Sequence, residues 1–146
     1  MAGIYIHIPF CESRCIYCDF YSTTSLKWKD DYVDALCKEM ELRPAIQALG
    51  DNYPIETIYL GGGTPSQLSD GHLQQIFTKL KETYGDLFSK NMEITMECNP
   101  DDVTPDYCKT LGKLPVNRVS MGAQTFSDQR LQFLRRRHNT ADVKEA

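Results

Sequence analysis

Ile4-Tyr5-Ile6-His7-Ile8, followed at once by Pro9-Phe10-Cys11-Glu12-Ser13-Arg14-Cys15-Ile16-Tyr17-Cys18, sets an apolar alternation directly before a loop of three cysteines. The alternation predicts a strand over 4–8 that Pro9 ends, which leaves the reactive residues just past its carboxyl end. The same arrangement recurs down the chain. Apolar segments predict strands over 55–60, 92–97 and 116–121, and unusual residues follow each: Gly61-Gly62-Gly63-Thr64-Pro65, then Glu97 with Asn99, then Gln124.

Helical spacing fills the intervals. Val33, Leu36, Cys37 and Met40 share one helix face, and Pro44 should stop that helix. Leu73, Ile76, Phe77 and Leu80 repeat the spacing after Ser69, an expected N-cap, with Gly85 beyond the end. Thr104-Pro105 opens a short helix that Gly112 closes, and a fourth helix starts at Ser127 with Leu131 and Leu134 turned inward. Strand and helix alternate four times, so the fold class is α/β with a parallel sheet whose strands can be apolar on both faces. Chemistry collected after several different strands favours an incomplete TIM-like (β/α) barrel of four parallel β/α units over a doubly wound sheet, which concentrates binding at one switch point. Four strands do not close a barrel, so the chain is expected to continue beyond Ala146.

With 146 residues, 41% hydrophobic and 25% charged, the chain has the make-up of one folded domain, and a net charge of -4 argues against a nucleic-acid-binding protein. The one strongly basic segment, Arg130 with Arg135, Arg136 and Arg137, is either a solvated helix face or a contact for an anion or partner. No apolar run reaches the roughly 18 to 20 residues that cross a bilayer, and the first nine residues have no signal-peptide pattern, so a cytoplasmic protein without a membrane span is expected.

Of the six cysteines, Cys37, Cys98 and Cys108 stand alone in periodic segments and read as core or near-core residues. Cys11, Cys15 and Cys18 form a ligand set for an iron–sulfur cluster or a zinc ion, or are inert thiols. A closed zinc site wants a fourth protein ligand, and Asp19 and His7 are poorly placed for it. An iron–sulfur centre tolerates the shortage if another molecule completes the last iron.

The segment from Tyr5 through Cys18 to Phe20 resembles the cluster loop of the radical S-adenosylmethionine (SAM) superfamily, in the branch of oxygen-independent coproporphyrinogen III oxidases and related haem chaperones. The resemblance continues through Tyr59-Leu60-Gly61-Gly62-Gly63-Thr64-Pro65-Ser66, Glu97-Cys98-Asn99-Pro100, the stretch from Asn117 to Phe126, and Leu134-Arg135-Arg136-Arg137-His138-Asn139. It implies a partial radical-SAM barrel, with residues 1–146 as the amino-terminal portion of the core domain and the rest of the barrel and a carboxyl-terminal domain absent from this chain.

By the resemblance, Cys11, Cys15 and Cys18 bind three irons of a [4Fe-4S] cluster, and S-adenosyl-L-methionine chelates the fourth through its amino and carboxylate groups. Tyr5 and Phe20 flank the cluster region. Gly61, Gly62, Gly63 and Thr64 run beside the methionyl group, Glu97 faces its polar end, and Gln124 and Arg136 complete the pocket. Glycines admit close backbone approach, a carboxylate answers an ammonium, and a guanidinium answers a carboxylate. Taken without the resemblance, the glycines are a turn, Glu97 a surface residue and Gln124 a loop-bonding amide. Three arginines in a row leave the assignment among Arg135, Arg136 and Arg137 ambiguous by one position, and related sequences usually have glycine where Arg135 stands. His7 and His138 are interior hydrogen-bonding residues or neighbours of the cluster or a bound tetrapyrrole.

Oxidases of this branch carry a further cysteine where this chain has Phe20, and an additional segment ahead of the cluster motif, whereas this chain begins Met1-Ala2-Gly3-Ile4-Tyr5. Both departures imply the chaperone: a protein that binds haem and passes it to a haem-accepting partner. The alternative is an oxidase converting coproporphyrinogen III, a porphyrinogen, to protoporphyrinogen IX by SAM radical chemistry, with an electron donor. A structural metal-binding module is the third reading. No residue stands out as a general acid or nucleophile.

Overall fold

The four apolar segments form strands. The computed structural model describes residues 2–43 and 53–146, and in it β1 (Ala2–Ile8), β2 (Ile55–Gly62), β3 (Phe88–Cys98) and β4 (Arg118–Met121) make one sheet in the order β1-β2-β3-β4. Every neighbouring pair is parallel. Sequential order without reversal is the arc of a (β/α) barrel, because a doubly wound sheet turns back at its switch point. The carboxyl ends of all four strands therefore lie along one rim.

Among the described residues the sheet is accompanied by the α-helices α1 (Lys29–Leu42), α2 (Asp70–Tyr84), α3 (Pro105–Leu111), α4 (Asp128–Phe133) and α5 (Thr140–Glu145). α1 ends with Arg43 as its C-cap, and Pro44 lies outside the described residues. Ser69 caps α2 through its side chain, which accepts from the His72 amide, and Thr104 caps α3 in the same way on Tyr107. α4 follows Ser127; Leu131 is buried, while Leu134 is half-buried. Among the described residues no helix is long and apolar enough to cross a membrane.

The core lies on one side of the sheet only. Ile6, Ile8, Ile58, Leu60, Ile94 and Met96 meet Val33, Met40, Leu73, Ile76 and Leu80 of α1 and α2. The opposite face carries Tyr5, His7, Tyr59 and Glu97, so the strands are not apolar on both faces as the parallel pattern led us to expect. That side of the arc is a polar, aromatic wall.

Strand limits differ locally from the sequence pattern. β4 starts at Arg118 and not at residue 116; Asn117 meets β3 through its own amide, which donates to Ile94 O at 3.1 Å, and through its side chain, whose Oδ1 accepts from the Ile94 amide at 2.8 Å and whose Nδ2 donates to the Met92 carbonyl at 2.8 Å. β3 extends back to Phe88 through a register shift against β2 between Ile55 and Thr57. Cys37 and Cys98 are buried as expected; Cys108 is exposed on α3, which corrects its reading as a core residue.

Candidate functional site

The cysteine loop has no strand or helix between β1 and residue 25, so tertiary hydrogen bonds must fix it. Its two ends pair with each other: the Cys11 amide donates to Thr23 O at 3.0 Å and the Thr23 amide to Pro9 O at 2.7 Å. His7 holds the returning strand of the loop, donating from Nε2 to Tyr21 O at 2.8 Å while its Nδ1 accepts from the Tyr5 hydroxyl at 3.2 Å. This arrangement assigns the Nε2–H tautomer, and with both nitrogens engaged His7 is no fourth metal ligand.

The glycine run sits against the base of that loop. Gly63 donates to Ile8 O at 2.7 Å and Thr64 to Phe10 O at 2.8 Å. A Cβ on Gly63 would lie 2.8 Å from Ile8 O, and one on Gly62, whose φ is 109°, would lie 2.5 Å from the His7 ring. The glycines therefore permit the end of β2 to pack on β1 and His7. The amide of Gly62 is also engaged, at 3.3 Å from Glu97 Oε2, and the Thr64 hydroxyl donates to Cys11 Sγ at 3.5 Å.

Above the strand ends is a cavity of about 290 Å³. It brings together Cys11, Cys15, Cys18, Phe20, Gly63 and Thr64 from the first two loops with Glu97, Asn99, Gln124 and Arg136 from the later ones. Tyr5, Gly61 and Gly62 are not part of its wall: Tyr5 is exposed and stacked on Tyr59, while Gly61 and Gly62 pack against Tyr59, Glu97 and His7. Glu97 is held by the Tyr59 hydroxyl at 2.6 Å, and this hydrogen bond, with burial, raises the Tyr59 phenol above its ordinary range.

The three arginines have three different roles. Arg135 closes α4 with φ 56°, a left-handed position suited to glycine. Arg136 turns into the cavity, where Nη2 donates to Asn99 Oδ1 at 2.9 Å and Gly122 O at 2.8 Å and Nη1 donates to Cys15 Sγ at 3.5 Å. Arg137 pairs with Glu12 of the cysteine loop and with Asp101 at 3.0 Å and Asp102 at 2.8 Å after β3. Asp102 in turn accepts from Ser66 at 2.6 Å and from Gln67 at 3.1 Å. The basic run is therefore a clamp on loops after β1, β2 and β3; a solvated helix face describes neither Arg136 nor Arg137.

Sequence reasoning gave no role to Asp101 and Asp102, left Arg137 as one of three candidates for the pocket arginine, and quoted Tyr59 with its motif without assigning it a role. The Asp101-Asp102 pair opposite an arginine run was visible as composition, but only the fold joins them. His138 is buried with Nε2 on Ala123 O at 3.2 Å. Its Nδ1, the Arg136 Nε and the Asp101 Oδ1 have no partner among the described residues, and all three residues border the cavity. Buried polar atoms of this kind call for a ligand or water.

All six thiols are free. Those of Cys11, Cys15 and Cys18 spread around the cavity, and among the described residues no three His, Cys, Asp or Glu side chains gather round a point that could hold a single metal ion. Three thiols on one loop, with no fourth protein ligand beside them among the described residues, are the donor chemistry of an iron–sulfur cluster whose last iron is completed by another molecule. The donor set suits the larger group.

An arc of parallel (β/α) units with three free thiols on the loop at its carboxyl rim belongs to the barrel class, with a candidate ligand site there. The family model described as the radical SAM superfamily matches residues 5–146, and the chain belongs to that superfamily. Membership implies the typical use of a [4Fe-4S] cluster and SAM. The chain is closely related to haem chaperones. It is 39% identical over 145 residues to the haem chaperone HemW of Bacillus subtilis (strain 168), covering 98% of this chain and 37% of that protein. To the haem chaperone HemW of Escherichia coli (strain K12) it is 37% identical, with 99% of this chain and 37% of that one covered. The chain thus spans a little over a third of the length of these relatives. Among solved structures, the coproporphyrinogen III oxidase HemN from Escherichia coli, a radical SAM enzyme, superposes with a TM-score of 0.83 at 27% identity, over 97% of this chain and 32% of that one.

Replacing Arg137 with alanine leaves Asp101 and Asp102 side by side without their guanidinium. The expected result is a loss of about 1–3 kcal/mol in urea unfolding, with hydrogen exchange in residues 11–18 accelerated more than in the β2–β3 core, which rises only with the global loss; an equal acceleration in both regions would remove Arg137 as the clamp of the cysteine loop.

Proposed function

We propose that this chain forms the amino-terminal, cluster-holding portion of the core domain of a haem chaperone. Cys11, Cys15 and Cys18 ligate three irons of a [4Fe-4S] cluster, and S-adenosyl-L-methionine occupies the remaining coordination site. The observation that carries this reading is the single cavity bordered by all three thiols, by Glu97 and by Arg136. When bound, the cluster and SAM supply one-electron chemistry.

The chain's own residues bind and orient. Glu97, fixed by Tyr59 and the Gly62 amide, offers a carboxylate to an ammonium. Arg136, braced by Asn99 and Gly122 O, offers a guanidinium to a carboxylate. Gln124, held at φ 62°, and Phe20 at the cavity wall complete the enclosure. Tyr5 and Gly61 act from behind it, by packing against Tyr59 and Glu97.

Haem, or a porphyrinogen, is the ligand class, and a haem-accepting protein is the partner. Phe20 in place of a further cysteine, and the haem chaperones among the relatives, support delivery of haem over oxidation of coproporphyrinogen III. Free thiols throughout suit a reducing compartment, the cytoplasm.

Haem titration followed by Soret absorbance, then mixing with an apo haem protein, tests this directly. Stoichiometric haem capture and delivery, with no protoporphyrinogen IX formed from coproporphyrinogen III in the presence of SAM and a reductant, is the expected result; porphyrin product without haem capture would favour the oxidase. For the SAM site, Glu97→Gln should weaken SAM binding about tenfold, roughly 1.4 kcal/mol, in equilibrium dialysis while iron and sulfide content stay the same. An unaltered SAM affinity would take Glu97 out of the pocket.

A further inference from the structure

Thr64 does not serve the ligand through its backbone. Its amide donates to Phe10 O at 2.8 Å and its carbonyl accepts from the Gln67 amide at 3.0 Å. The side chain is buried, at 6% exposure, and its hydroxyl is directed to Cys11 Sγ at 3.5 Å. Cys11 is itself buried, at 9% exposure, with its amide on Thr23 O. A thiolate so placed has little water to stabilise it, so a protein donor on the sulfur counts for more than it would at the surface.

The sulfurs are not equivalent. Cys11 receives a hydroxyl and Cys15 a guanidinium N–H, while among the described residues no side-chain donor reaches Cys18. A hydrogen bond onto a ligating thiolate withdraws electron density from sulfur and weakens its donation to iron. The reduced cluster carries one more negative charge, so it gains more from the bond than the oxidised one, and the reduction potential rises.

We infer that Thr64 is a positioning residue that tunes the cluster, its hydroxyl holding the Cys11 thiolate by a hydrogen bond that keeps the cluster potential higher than the three thiolates alone would set it. This rests on the assignment of Cys11, Cys15 and Cys18 as cluster ligands. It gives Thr64 a different role from contact with the methionyl group of SAM. The chemistry requires a hydroxyl and no more: serine supplies it, and valine fills nearly the same space without it.

The test is a redox titration, followed by electron paramagnetic resonance, of the wild-type protein and of Thr64→Val and Thr64→Ser, each loaded anaerobically with iron and sulfide. Thr64→Val should shift the midpoint to a more negative potential with the thermal unfolding midpoint unchanged, and Thr64→Ser should lie close to wild type. Loss of the cluster from Thr64→Val with retention in Thr64→Ser supports the same role. A wild-type potential in Thr64→Val, or a defect in Thr64→Ser as large as in Thr64→Val, overturns the inference while leaving the ligand assignment intact. Failure of the wild-type protein itself to take up a cluster overturns the ligand assignment and, with it, the role of Thr64.

Discussion

The amides of Gly63 and Thr64 donate to the carbonyls of Ile8 and Phe10, and this backbone clamp sets the first cysteine against the end of β2. It is possible only because no Cβ separates the chains at Gly63, where one would lie within 2.9 Å of three backbone atoms of residues 8–10. Hydrogen bonding in the parallel sheet would otherwise end at the strand termini. The clamp carries it a further two residues, so Cys11 emerges at a fixed height above the barrel rim. The exchange between Phe10, Cys11 and Thr23 then returns the loop to the same point. An irregular loop with few apolar contacts of its own thereby takes its position from the sheet.

Charge completes what the backbone starts. Arg136 and Arg137 are adjacent in sequence yet point to different tasks, because the left-handed turn at Arg135 reverses the chain after α4. Arg137 gathers Glu12, Asp101 and Asp102 and so neutralises carboxylates from two loops. Arg136 enters the cavity beside Cys15. Asp101, Arg136 and His138, each with a buried polar atom that has no partner among the described residues, border the same cavity.

Much of this was legible in the sequence. Alternation located the first strand and apolar segments the other three, and Ser69, Thr104-Pro105 and Gly112 marked helix limits, because those signals act over a few residues. The cysteine spacing, Glu97 and Gln124 announced the cavity wall. The glycine run was ambiguous for a physical reason: glycine permits close approach without specifying by what, and here the approaching group is β1 and His7 as well as the cavity. The roles of Arg137 and of Asp102 depend on contacts between residues far apart in the chain. Cys108 misled because helical spacing does not distinguish the flank of a short helix from its buried face. Asn117 meets β3 through a side-chain hydrogen-bond pattern that alternation cannot reveal.

The proposed function centres on three thiols of one loop holding a cluster with one iron open to SAM. The most direct measurement is electron paramagnetic resonance of the reduced protein after anaerobic loading with iron and sulfide, recorded with and without SAM. A [4Fe-4S] signal that changes on adding SAM is the predicted result. No cluster, or a cluster signal indifferent to SAM, would contradict it.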